Sequence, residues 1–322
     1  MSLQSACMTP MRRGWKRLPS AKAALAFLPI VFATLACAAP GPAAVRSPGS
    51  SAAESPSDRI HLQAHQALER WAKAATDSGG ATISFVGEMT GQVGNWEATV
   101  GGNNKSALMA GHVQADVGLP ADKPGRKSVR WLDGTSIDVN VLSAARALEE
   151  LVAAAGGPCP TCEERALFVT DARLATSLVE TSLGPAEAPV WVFSIQGTAV
   201  KVTRIAVDES ITVTPPPWNA DDPPVGLSID SASGTAKSRQ LTVSFTGAVE
   251  GRSKPCGADY SAEAVESDLA VVVIVTVRPN EAPASCTALG RTRTASVDLN
   301  KPLGKRAVLE VTQGLPVPLV AP

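Results

Sequence analysis

The chain has 322 residues, with 29 Lys and Arg against 30 Asp and Glu, and no Lys/Arg block after its N-terminal stretch, so it offers no electrostatic footing for nucleic acid. Five of those cations, Arg12, Arg13, Lys16, Arg17 and Lys22, precede Cys37; without them the remainder carries 24 against 30, a net of −6. The part from Asp58 onward, about 265 residues, suits two domains better than one.

Behind the N-terminal cations, residues 23–36 form an apolar run interrupted by Pro29 and shorter than the roughly 20 residues a membrane-spanning helix needs. It closes on Thr34-Leu35-Ala36-Cys37. A basic segment, a short apolar run and a closing cysteine predict a signal peptide over residues 1–36, with plain secretion after cleavage near Ala39 as the competing reading. The segment resembles the signal of bacterial lipoproteins, with Thr34 where that class usually has Leu and Leu35 one place later. The resemblance implies lipidation of Cys37 by acyl chains such as palmitate. It also implies an extracytoplasmic location and anchorage to the cell membrane through more than one chain, since a single short chain holds weakly.

Residues 37–57 are rich in Ala, Pro and Ser and cannot bury enough apolar surface to order themselves; they are expected to act as a disordered tether of about 25 Å. Five prolines in residues 214–224 mark a linker that neither a helix nor a central strand accommodates, and they divide the rest into 58–213 and 225–314, with a tail at 315–322.

The first part alternates helix and strand signals. From Asp58 as N-cap, Ile60, Ala64, Ala67, Leu68, Trp71 and Ala75 share a helix face that ends at Gly79-Gly80. A strand is expected at 83–86, a short helix at 106–113, and a strand through Ile137, Val139 and Val141. Ser143 caps the clearest helix, whose stripe is Ala144, Ala147, Leu148, Leu151, Val152 and Ala155. Leu167-Phe168-Val169 reads as a strand, Trp191, Phe193 and Ile195 share a strand face, and Val200 and Val202 begin another. This part is expected to be an α+β domain.

Beyond the linker, alternation replaces helical period. Leu241, Val243 and Phe245 mark one strand; Ala295, Val297 and Leu299 mark another; Leu309 and Val311 close a last one. Residues 270–277 are apolar at every position except Thr276, which predicts a central strand covered on both faces. The expectation is an all-β sandwich of immunoglobulin-like size, and the fold class is α+β with that sandwich at the C-terminus.

Of six cysteines, Cys7 leaves with the signal and Cys37 takes lipid, which leaves Cys159 with Cys162 and Cys256 with Cys286 as local pairs. Export permits both as disulfides. Cys159-Pro160-Thr161-Cys162 has the spacing of a redox pair, but it follows a helix and precedes a strand, whereas thioredoxin-like sites lie between a strand and a helix. A disulfide bracing that turn is the expected role, and an extracytoplasmic thiol-disulfide oxidoreductase is the alternative.

The ligand-binding candidates are Asn95, Trp96, Asn103, Asn104 and Lys105. They lie in glycine-rich sequence where Trp96 could stack on a ligand and a helix N-terminus beside Lys105 could meet an anion. Asn104 replaces the glycine that a phosphate-binding loop needs before its lysine, and a turn with Trp96 folded onto the core is the competing reading. His61 and His65, one turn apart with Leu62, Gln63 and Ala64 between them, are expected to be exposed helix residues, and His112 is the third histidine. There is no Gly-x-Ser-x-Gly elbow, and neither catalytic residues, a metal nor a cofactor is assigned.

In its Ala/Pro/Thr-rich makeup, its lipid-signal region and its two-domain plan, the chain resembles uncharacterised exported lipoproteins of high-G+C Gram-positive bacteria. The expected function is a membrane-anchored, non-enzymatic binding or accessory module of the cell envelope. Its partner would be an envelope protein or small ligand, with no role for nucleic acid.

Overall fold

A computed structural model describes residues 55–96, 103–156, 166–282 and 285–322. Ser55 opens the ordered chain: its Oγ accepts the Asp58 backbone N–H at 3.1 Å, and Pro56 occupies the first helical turn of α1 (Pro56–Asp77). Asp58 is therefore a first-turn residue and Ser55 the cap, because Pro56 has no N–H to lose at that place. Ala64, Ala67, Leu68 and Trp71 form the buried stripe, and Gly79 and Gly80, both at positive φ, end the run.

The described residues are β-rich, with several sheets and few helices. The N-terminal sheet has seven strands: β1 (Thr90–Val93), β2 (Val113–Ala115), β3 (Arg126–Trp131), β4 (Ser136–Asn140), β5 (Leu167–Val179), β6 (Ala186–Ile195) and β7 (Lys201–Ile205). Its main path runs β1-β7-β6-β3-β4, with β5 also paired to β6 and β2 parallel to β5. Two helices, α2 (Asn103–Met109) and α3 (Ala144–Ala154), pack on one face of this sheet. There Ala107, Ala144, Ala147, Leu148 and Leu151 meet Val169, Trp191, Phe193, Ile195 and Val202. Ser143 caps α3 by accepting the Arg146 N–H at 3.2 Å, as its position predicts. The other face buries Ile83, Phe85, Val129, Trp131, Val190 and Ile205.

Two expectations change here. Residues 106–113 do not form one helix: α2 ends at Met109, and Val113 starts β2 opposite Leu167. Residues 83–86 bury Ile83 and Phe85, yet among the described residues they make only a single bridge, Phe85 to Thr181.

The C-terminal half has two further sheets. One holds β10 (Ala258–Glu266), β11 (Ala270–Pro279) and β13 (Ala307–Glu310) in the order β10-β11-β13. The other holds β8 (Ser231–Ser233), β9 (Gln240–Ala248), β12 (Gly290–Asp298) and β14 (Leu319–Val320) in the order β12-β9-β8-β14. Their inner faces share one core, with Leu241, Val243, Phe245 and Val297 against Val271, Val273, Val275 and Val308. The Cys256–Cys286 disulfide ties the loop before β10 to the loop before β12, with its Cα atoms 5.6 Å apart.

β11 is covered on both faces, as its sequence predicts, and the outer cover is α1. Ala64, Ala67, Leu68 and Trp71 pack on Ala270, Val272, Ile274 and Leu309. Thus the helix read as part of the N-terminal domain lays its buried face on the C-terminal sheet, and the described residues form one compact unit. The proline-rich linker, with Trp218 74% exposed, is pinned to the same helix. Arg59 pairs with Asp222 at 2.6 Å, while Gln63 donates to the carbonyls of Val225 (3.0 Å) and Val311 (2.7 Å) and accepts the Val225 N–H at 3.0 Å.

Residues 315–322 are not a loose tail: Val317 and Leu319 are buried, and β14 pairs in parallel with β8. The Glu310 carboxylate organises the turn before them, accepting N–H groups from Thr312 (2.8 Å), Gln313 (2.6 Å) and Leu315 (3.4 Å). Gly314, at φ +72°, passes so close to α1 that a Cβ there would lie 2.8 Å from the Ala67 Cβ.

Candidate ligand-binding groove

β10 and β12 are the outer strands of their two sheets, and they approach each other along one side of the sandwich. Small side chains, Ala262, Ala264 and Ala295, close part of this seam against the core. Where they give way to larger residues near the start of both strands, the seam opens. A groove of about 540 Å³ lies there, lined by Asp259, Tyr260, Arg291, Thr292, Arg293 and Thr294.

The period of two along β12 puts Arg291 and Arg293 on the face that further along carries Ala295 and Val297 into the core. Arg293 is held in place: its guanidinium lies 5.6 Å from the centre of the Tyr260 ring, and Nη2 donates to the Ala258 carbonyl at 3.5 Å. Tyr260 is fixed in turn. Its ring meets Phe245 edge-on at 4.9 Å, and its hydroxyl oxygen accepts the Ala248 N–H at 2.6 Å. Gly247, opposite Arg291 in the β9–β12 register, leaves room for this pair, since a Cβ there would lie 2.7 Å from the Tyr260 hydroxyl and 2.9 Å from Arg293 Cγ.

The Arg291 side chain is exposed and, among the described residues, makes no hydrogen bond or ion pair. Asp259, the anion of the lining, faces Arg278 across the β10–β11 register and accepts the Arg252 N–H at 3.1 Å. Arg252 itself is paired to Glu281 at 2.7 Å. The lining thus carries two guanidiniums against one carboxylate, in a chain whose residues 37–322 carry a net of −6. Val277, opposite Tyr260, and Val249 and Leu289, one residue beyond the Ala248–Gly290 pair, add exposed apolar surface at this end.

A second groove, about 410 Å³, runs between the C-terminal half of α1 and residues 210–214, lined by Arg70, Lys73, Asp77 and several hydroxyls. Lys73 pairs with Asp77, and Arg70 donates through Nη2 to the Gln313 carbonyl at 3.4 Å, while its buried Nε has no hydrogen-bond partner among the described residues. Burial pushes the Arg70 guanidinium below its ordinary pKa, against the pull of Glu310. The β10–β12 groove, with a guanidinium turned to solvent, is better suited to an incoming anion.

The sequence-predicted candidates lie elsewhere. Trp96 is 6% exposed, sits in the core beneath α2 with Ala107 and Val200, and donates its indole N–H to Gln92 Oε1. This placement accords with the competing reading of Trp96 as a residue folded onto the core. Asn95 is exposed, and Asn103, Asn104 and Lys105 form the start of α2, with Lys105 exposed. His61 contacts Glu263 of β10 at 3.2 Å, and His65 is exposed. Cys37, Cys159 and Cys162 fall outside the described residues. Among the described residues, no three His, Cys, Asp or Glu side chains come together in a way that could hold a metal ion. Nor is any helix there long and apolar enough to cross a membrane.

Arg291 and Arg293 were missed because spacing alone does not separate a guanidinium at a groove from one on a solvated strand. The available signal was two arginines at a period of two, continuing an apolar face. No protein-family model, curated protein or solved structure matches the chain.

Proposed function

We propose that the protein is a lipid-anchored, non-enzymatic binding module of the cell envelope. It is exported behind residues 1–36, held through acyl chains on Cys37 and spaced from the membrane by residues 37–57. On this reading the chain keeps a two-part plan, an α+β part ahead of a β-sandwich stapled by Cys256–Cys286, and its ligand seat is the β10–β12 groove.

The observation that carries the reading is Arg291, an exposed guanidinium without a side-chain partner among the described residues, on the same face as Arg293 and beside a fixed Tyr260. A guanidinium fork so placed matches a carboxylate or phosphate oxygen pair. The enclosed charges of Glu310, and of Arg306 with Glu266, are taken up in holding the turn after β13 and the chain before it.

Two measurements on the full mature protein from its native membrane test this. Peptide mass mapping should give an N-terminal Cys37 bearing acyl chains; an unmodified start elsewhere would remove the anchor from the account. Amide hydrogen exchange with inorganic phosphate should slow exchange at 259–260 and 291–294, and Arg291→Ala should abolish that response. Phosphate-insensitive exchange would sink the groove.

A further inference from the structure

We infer that the ligand of the β10–β12 groove is an extended acidic peptide segment that adds to the open edge of β12 and sets its carboxylates on Arg291 and Arg293. This rests on the reading of the groove as the ligand seat and names what fills it.

β12 pairs on one side only. Its nine residues run in unbroken antiparallel register with β9, from Gly290 opposite Ala248 to Asp298 opposite Gln240, and its other edge has no strand partner among the described residues. Such an edge presents a regular row of backbone donors and acceptors, a template for one more strand. The groove lies on that edge, lined by the four consecutive residues Arg291 to Thr294.

Charge selects the strand. Residues at i and i+2 lie about 6.8 Å apart on one face of a strand, so Arg291 and Arg293 meet side chains of the same spacing on an added strand, each opposite residue within about 5 Å. Inward-pointing charges on an edge strand repel an apolar or basic newcomer. A strand with carboxylates at alternate positions is the one they accept, through charge-assisted hydrogen bonds to two guanidiniums. Between those positions its side chains face outward beside Thr292 and Thr294, while the exposed Val249 and Leu289 give its end an apolar rest.

The seam also limits the segment's length. Ala262, Ala264 and Ala295 bring β10 and β12 together further along, so the added strand has only the first residues of β12 to pair with. A segment of about five residues fits this better than the edge of another folded sheet. β5 also has an unpaired edge between β2 and the Phe85–Thr181 bridge, but Asp171 and Arg173 alternate in sign there and choose no partner.

The test uses the full mature chain and two synthetic five-residue peptides, Val-Glu-Val-Glu-Val and Val-Lys-Val-Lys-Val, capped at both ends. The acidic peptide should bind at least tenfold more tightly than the basic one and slow amide exchange within 290–295. Arg291→Ala and Arg293→Ala should each weaken it about tenfold, with thermal unfolding of Arg291→Ala unchanged. If phosphate slows exchange in the groove but neither peptide does, the peptide assignment is overturned while the groove reading stands. If neither phosphate nor peptide changes exchange at 259–260 and 291–294, both are overturned.

Discussion

Arg306 Nη1 donates to Glu266 Oε2 at 2.5 Å with both side chains under a tenth exposed, joining the chain before β13 to the last residue of β10. The rest of the guanidinium is spent on the carbonyls of Leu303, Lys301 and Pro302, at 3.1, 2.9 and 3.0 Å. Leaving one member of so enclosed a pair behind costs about 3–5 kcal/mol. Arg306→Ala should therefore lower the unfolding midpoint by many degrees, and chemical denaturation followed by circular dichroism checks it. A change below about 1 kcal/mol would mean water replaces the guanidinium freely.

The same pair sets an acid limit. Burial pushes the Glu266 carboxyl up, but hydrogen bonds from Arg306 and Asn300 outweigh it and leave the group below the ordinary carboxylate range. Its folded-state pKa is thus lower than its unfolded one. The stability it contributes is fully present above about pH 4.3, the unfolded value, and disappears as pH falls through the lower folded value. Stability measured from pH 6 down to pH 2 should fall over that window, and Glu266→Gln, already destabilised at pH 6, should show a shallower fall.

Trp96 and Arg291 should separate stability from binding. Trp96→Ala empties a core site and should cost about 3–5 kcal/mol. Arg291→Ala removes an exposed side chain and should stay within about 0.5 kcal/mol of the parent. Paired denaturation curves decide it; equal losses would make Arg291 part of the frame.

Much of this fold was legible because apolar periodicity reports burial directly. The stripe of α3, the cap at Ser143, the alternation of β9 and the doubly apolar run of β11 all follow from which side chains must leave water. What covers a buried face is a long-range fact that no local period contains. Residues 64–71 announce an amphipathic helix, but not that its partner is β11, some 200 residues away. Residues 315–322 read as a tail because three prolines and a two-residue strand leave no pattern, although Leu319 pairs beside Ala232. The groove was hidden for the same reason: Tyr260, Gly247 and Arg293 meet only once the two sheets stack.

Gly314 offers a test of how α1 is seated. A side chain there meets Ala67 and Arg70 of the helix and must hold a backbone angle that L residues disfavour. Gly314→Ala should destabilise by about 1–3 kcal/mol and speed amide exchange in α1, while the N-terminal sheet changes little. Uniform exchange across the chain would show that α1 is not seated separately.

Removing the Cys256–Cys286 bond by the double substitution Cys256→Ser and Cys286→Ser should lower stability by about 3.5 kcal/mol, from a loop with a sequence separation of 30 residues. Because the bond joins the loops leading into β10 and β12, acidic-peptide affinity should fall as well, a loss that titration of the still-folded protein would register.

The most direct measurement is a charge exchange at the groove. Arg291→Glu with Arg293→Glu, in the full chain, should reverse the preference between the two peptides, so that Val-Lys-Val-Lys-Val binds and Val-Glu-Val-Glu-Val does not. An unchanged preference, in a variant whose unfolding matches the parent, would place recognition outside the β10–β12 groove and contradict the account.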